Sequence, residues 1–158
     1  MQFDEGRWRL ELSGASGLYS GSENRRDDHL VTATAEYEFP VTKRTTLGLR
    51  LLPLFIYDQK ESGEDTVWGA GAGLAFRVYQ HANKQRGLFA EASANAIGHK
   101  NKFSANSSNL NFLESLGVGY QFKNNWHLSL RWQHISNASI SSKNAGANSI
   151  ALSAGISF

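Results

Sequence analysis

The stretch RWQHISNASI, residues 131–140, sets His134 and Ser136 two positions apart. A hydroxyl and an imidazole within hydrogen-bond reach are residue types of nucleophilic catalysis, in which a base activates an otherwise weak nucleophile. On an extended strand, two alternating steps bring such a pair to one face with Cα atoms about 6 to 7 Å apart, close enough for a hydrogen bond to bridge them. What the pair can act on depends on which face that is.

The chain has 158 residues and apolar residues throughout, which suits one domain spanning 1–158. It contains no cysteine, so disulfides and thiolate metal sites are excluded. A formal charge of +2, scattered along the chain, gives no basic stripe for nucleic acid. No apolar run approaches the roughly 18 residues a membrane helix needs. No charged-then-apolar leader opens the chain either, as expected if an export signal has been removed.

Period-two alternation recurs instead, with turn residues between the runs. Eight runs are expected, near residues 7–18, 30–39, 45–57, 66–79, 87–98, 109–122, 126–137 and 148–158. In the first, Trp8, Leu10 and Leu12 alternate with Arg7, Arg9 and Glu11; in the third, the apolar set is Leu47, Leu49, Leu51, Phe55 and Tyr57. Short links at 40–44, 80–86 and 123–125 alternate with long polar links at 19–29, 58–65, 99–108 and 138–147. Strands of this length, joined alternately by short and long loops, describe an all-β, eight-stranded antiparallel up-and-down transmembrane barrel with a polar interior.

A soluble barrel of the lipocalin kind would place the apolar set inside, and alternation alone does not choose between the two. The charges and aromatics do. Arg7, Arg9, Arg50, Arg77 and Arg131 share one face with Glu11, Glu36, Glu38 and Glu91, a nearly balanced set suited to a closed interior. Trp8, Tyr37, Tyr57, Trp68, Tyr120, Trp126 and Trp132 lie on the other, many near strand ends, as interfacial girdles require. With both termini at the periplasmic side, strand seven runs outward and shows Trp126, Leu128, Leu130 and Trp132 to lipid. His134 and Ser136 continue that face at the level of the outer leaflet, where a barrel ordinarily places apolar residues.

Here the chain resembles the lipid A 3-O-deacylases of the PagL type, eight-stranded outer-membrane barrels that act on lipopolysaccharide. The matching residues are His134-Ile-Ser136-Asn137-Ala138, followed by Asn144-Ala-Gly146-Ala-Asn148-Ser149 leading into the last strand. The resemblance implies a serine nucleophile at Ser136, a histidine base at His134, a glutamate as third member, and no metal or cofactor. An acyl-enzyme resolved by water would follow. For the oxyanion, the expected donors are the Asn137 side chain, the backbone N–H groups around Ala138 and Ser139, and Asn144. The family tends to have glycine where this chain has Ser139.

The family glutamate falls on Asn148 in this chain. An amide can orient a histidine without neutralising its cation, and replacing a triad acid by its amide can cost on the order of 10⁴ in rate when the wrong tautomer results. Glu114 is the candidate substitute. Parity puts it on the lipid face of strand six, and a three-residue 123–125 loop pairing Phe122 with Trp126 sets it directly opposite His134. Each of these residues also has a plainer reading. His134 and Ser136 suit a polar rim, Glu114 suits a pairing with lysine, and His29, His81, His99 and His127 form no metal spacing. The SANSSN and SSKNAGAN stretches read as turns. Two functions stand: a serine esterase acting on lipid A in the outer leaflet, and a non-catalytic outer-membrane barrel. The substrate partner is lipopolysaccharide in outer-membrane lipid, and a homodimer is left open.

Overall fold

Eight strands form where apolar and polar residues alternate: β1 (Arg7–Gly17), β2 (His29–Pro40), β3 (Thr45–Asp58), β4 (Val67–His81), β5 (Arg86–Lys100), β6 (Leu110–Gln121), β7 (Trp126–Ser136) and β8 (Ala147–Ser157). The computed structural model describes residues 5–19, 23–82 and 85–158. Residues 1–4, 20–22 and 83–84, which include parts of the expected links 19–29 and 80–86, lie outside the description. Each strand pairs antiparallel with its sequence neighbours, and β1 pairs with β8 to close the barrel. Closure leaves no unpaired edge, the condition for strands to cross hydrocarbon. The termini and the short turns share one end; the long loops gather at the other.

The two faces separate by chemistry. Trp8, Leu10, Leu12, Leu49, Leu74, Leu88, Leu116, Leu128 and Leu152 are exposed on the outside. All five arginines and four glutamates expected inside are buried. They neutralise one another: Glu36 meets Arg50 at 2.7 Å and also Arg77, Glu11 meets Arg131 at 2.5 Å, and Arg7 meets Glu38 at 2.7 Å. This ionic layer occupies the half of the lumen nearest the termini. Beneath the long loops sits an apolar cluster of Leu30, Leu52, Phe55, Tyr57, Val67, Ile97, Phe103, Leu113 and Ile135, accompanied by buried polar groups that include the Arg25–Asp28 pair. Phe103 comes from the β5–β6 loop and packs edge-on against Phe55 and Tyr57.

Phe55 and Tyr57 therefore face inward, against the expectation that they join the lipid face with Leu51. The reason is a bulge. The ladder shifts register between Leu52 and Phe55 against β4 and between Ala33 and Ala35 against β2. Pro53, with no N–H to give a ladder, lies inside that shift. One inserted residue reverses the parity beyond it, so Leu54 faces out while Tyr57 donates its hydroxyl inward to Asp28 Oδ2 at 2.9 Å.

Candidate active site

Strand β7 positions the site. Its neighbour β6 arrives through the 123–125 loop, where Phe122 N–H donates to Trp126 O at 2.8 Å and Asn125 adopts a positive φ of 70°. That hairpin sets Glu114 opposite His134 and Phe112 opposite Ser136. On the other side, β8 sets Asn148 opposite His134. His134 is thus flanked on the outer face by a carboxyl and a carboxamide, one from each neighbouring strand. Between His134 and Ser136, the Ile135 side chain turns inward into the apolar layer beside Leu113 and Ala147, which anchors this segment of β7.

Only one of the two flanking groups touches the imidazole. His134 Nδ1–H donates to Asn148 Oδ1 at 2.7 Å. An acceptor at Nδ1 fixes the tautomer that leaves Nε2 with its lone pair, the form a general base requires. Glu114 makes neither a hydrogen bond nor an ion pair with His134; it is exposed and lines an apolar outer groove of about 490 Å³. Its lining includes the small residues Ala92 and Ala94 of β5 and the larger Leu74, Phe76, Leu116 and Trp132.

Two further contacts hold the imidazole. The Trp132 indole stacks on it with an interplanar angle of 14° and ring centroids 6.0 Å apart. Gly146 lies against its edge, where a Cβ would sit 2.7 Å from His134 Cε1. The glycine is required for close approach, which accounts for its place between Asn144 and Asn148. Trp132 reads from sequence only as a girdle aromatic, and its contact with His134 follows from the same two-residue spacing that relates His134 to Ser136. Ser136 is half-buried and its hydroxyl makes no hydrogen bond among the described residues, leaving Oγ free to rotate.

Beyond Ser136 the chain turns through Ala138 and Ser139, at φ of 49° and 61°. Ser139 thus holds the left-handed conformation that glycine favours, without being glycine. Of the expected oxyanion donors, the Asn137 side chain is fully buried and donates to Asn106 Oδ1 and Lys143 O. Asn137 N–H is taken by Asn144 Oδ1 at 2.7 Å, and Ser139 N–H by Asn137 Oδ1 at 2.9 Å. The Ala138 N–H has no acceptor among the described residues, and the exposed Asn144 Nδ2 reaches only Ser139 Oγ, at 3.5 Å. These two are the donors still available at the surface.

The family model described as lipid A 3-O-deacylase (PagL) matches residues 1–157. This chain belongs to that family. Among solved structures it is similar to the outer membrane enzyme PagL, at 20% identity and a TM-score of 0.69 over 92% of this chain and 98% of that one. It is also similar to the N-terminal β-barrel domain of Pseudomonas aeruginosa OprF, at 16% identity and TM-score 0.56 over 98% and 100% of the two chains. A third likeness is to Neisserial surface protein A, at 14% identity and TM-score 0.54 over 96% and 95%. No curated protein matches the chain significantly. Family and fold together place it among the lipid A deacylase barrels of the outer membrane.

Proposed function

We propose that this barrel is a serine esterase that hydrolyses the 3-O-linked acyl chain of lipid A, with its long-loop end and its site at the outer leaflet. Ser136 Oγ attacks the ester carbonyl as His134 Nε2 takes its proton. The imidazolium then returns the proton to the departing sugar oxygen, and water, activated the same way, releases the fatty acid from Ser136. Asn148 accepts from Nδ1 and keeps the ring aimed and in the correct tautomer. The Ala138 N–H and Asn144 Nδ2 receive the oxyanion, while Asn137 shapes the turn that presents them. The apolar groove beside Glu114 and Trp132 offers an alkyl chain a bed on the lipid face.

Glu114 is the charged member in this proposal: its strand register sets a carboxylate beside the imidazolium without a direct bond. The observation that carries the reading is the 2.7 Å bond from His134 Nδ1 to Asn148 Oδ1, two residues from an uncommitted serine on a lipid-facing strand. A polar rim residue has no need of a fixed tautomer. All the groups come from β6, β7, β8 and the loop between β7 and β8, so one chain suffices and no homodimer is needed. The test is lipid A incubated with purified protein in detergent and followed by mass spectrometry. Loss of one 3-O-acyl chain in wild type and none with Ser136→Ala is expected. An amide where an acid is usual favours the second reading, a non-catalytic barrel, and a wild type inactive on several lipid A forms would put that reading first.

A further inference from the structure

The turn after Ser136 holds two consecutive non-glycine residues at positive φ, a conformation that persists only when its surroundings impose it. What imposes it lies under the surface. Ser139 N–H donates to Asn137 Oδ1 (2.9 Å), and Asn137 Nδ2 donates to Asn106 Oδ1 (3.1 Å). Asn106 Nδ2 donates to Asn111 Oδ1 (2.9 Å), and Asn111 Nδ2 donates to His99 Nε2 (2.7 Å). The chain ends as His99 Nδ1–H donates to the Asn101 carbonyl at 2.9 Å. Every bond points the same way. A carbonyl can only accept, so Nδ1 carries the His99 proton, Nε2 accepts, and each amide in turn has its orientation fixed by the one before it.

All four side chains of this relay are buried, where an amide deprived of a partner is costly and a satisfied network is rigid. Backbone bonds run alongside: Ala145 N–H to Ala105 O at 3.1 Å, Ser107 N–H to Lys143 O at 3.1 Å, and a bridge pairing Asn106 with Asn144. The β5–β6 loop, which contributes no reacting group, is thereby stitched to the loop that carries the oxyanion donors.

We propose that Asn106 is a positioning residue for the turn after Ser136, holding the Ala138 N–H in place through the buried relay Asn137–Asn106–Asn111–His99. The proposal rests on the reading of Ser136 as nucleophile. Asn106 sits at the centre of the relay and is its only member from the β5–β6 loop itself. It accepts from Asn137 and from Ser108 N–H while donating to Asn111. Its acceptor orients the turn; its donor fixes which way the amide faces.

Asn106→Leu keeps the branching and the number of side-chain heavy atoms and removes both functions, whereas Asn106→Asp keeps the acceptor for Asn137. Barrel formation is checked for each by heat-modifiable gel mobility. Then kcat and KM on lipid A are measured, together with amide hydrogen exchange at Ser139. In Asn106→Leu, kcat is expected to fall about 10- to 100-fold, as for a sub-ångström to ångström misplacement of a catalytic group, with KM held within about 2-fold. Ser139 exchange should accelerate by at least about 10-fold, since its acceptor, Asn137, keeps its bond to the Lys143 carbonyl but loses the side-chain anchor that fixes it to the β5–β6 loop. Asn106→Asp should recover most of both. Unchanged Ser139 exchange in Asn106→Leu overturns the proposal, as does a KM change as large as that in kcat, or an Asn106→Asp as impaired as Asn106→Leu. If Asn106→Leu does not form a barrel, Asn111→Leu carries the same expectations one link further along. Exchange at Ser139 decides the positioning role even for an inactive wild type, which counts against the esterase reading alone.

Discussion

Replacing Asn148 by aspartate should make the protein faster. The amide already accepts from His134 Nδ1 at 2.7 Å, so an isosteric carboxylate places an oxygen at the same point and alters only the charge. The transition state carries an imidazolium whose charge centre then lies about 4 Å from the carboxylate, worth about 4 kcal/mol at an effective dielectric constant of about 20. His134 and Asn148 are both half-buried, and screening at such a surface reduces this to about 2 kcal/mol. At about 1.4 kcal/mol per tenfold in rate, kcat should rise about 30-fold. The gain stays well below the roughly 10⁴ associated with amide replacement of a triad acid, because here the tautomer is already correct. The assay is single-turnover deacylation of lipid A, read by mass spectrometry, for wild type, Asn148→Asp, Glu114→Gln and the double variant. If Glu114 supplies charge to the imidazolium, Glu114→Gln should slow wild type by more than it slows Asn148→Asp, since the new carboxylate makes the older one redundant. An Asn148→Asp no faster than wild type refutes the claim that residue 148 acts on His134 during the reaction.

Gly146→Ala should push the imidazole off its seat and lower kcat about 10- to 100-fold while leaving barrel stability within about 0.5 kcal/mol, as urea unfolding will report. Trp132→Leu keeps an apolar lipid-facing side chain but removes the π face stacked on His134. An exposed cation–π contribution of about 0.5 to 1 kcal/mol predicts a 2- to 5-fold slower reaction, checked in the same assay with Trp132→Phe intermediate. Glu91→Ala leaves Arg50, Arg77 and Arg131 without their shared carboxylate and should destabilise the barrel by about 3 to 5 kcal/mol, measured as a lowered urea midpoint.

The sequence carries the strand count, the loop alternation and the interior charge set because each depends only on period-two chemistry. The opposition of Glu114 and His134 was legible for a related reason: a three-residue hairpin loop fixes register, and no bulge intervenes between Gln121 and Phe112. At Pro53 the period-two chemistry stops predicting the face. One shifted residue in β3 sends Phe55 and Tyr57 inward, and the apolar cluster of the lumen grows from that reversal together with Phe103, a loop residue with no periodicity to betray it. Alternation also assigns a face without a rotamer, so the lean of His134 toward β8 instead of β6 could not be read from spacing. The same holds for Asn106 and Asn111. Their stretch reads as turn chemistry, and only three dimensions bring them to Asn137.

The layered lumen makes this barrel an electrical insulator. Ions approaching from the long-loop side meet an apolar plug that includes Phe55, Phe103 and Leu113, and the buried charges, the Arg25–Asp28 pair under the long loops and the arginine–glutamate layer nearer the termini, are each already held by a fixed counter-ion, with no mobile carrier to exchange. Reconstituted in a planar bilayer, the protein should pass no single-channel current. A barrel of this construction can sit in a membrane at high copy number without adding a leak to the permeability barrier.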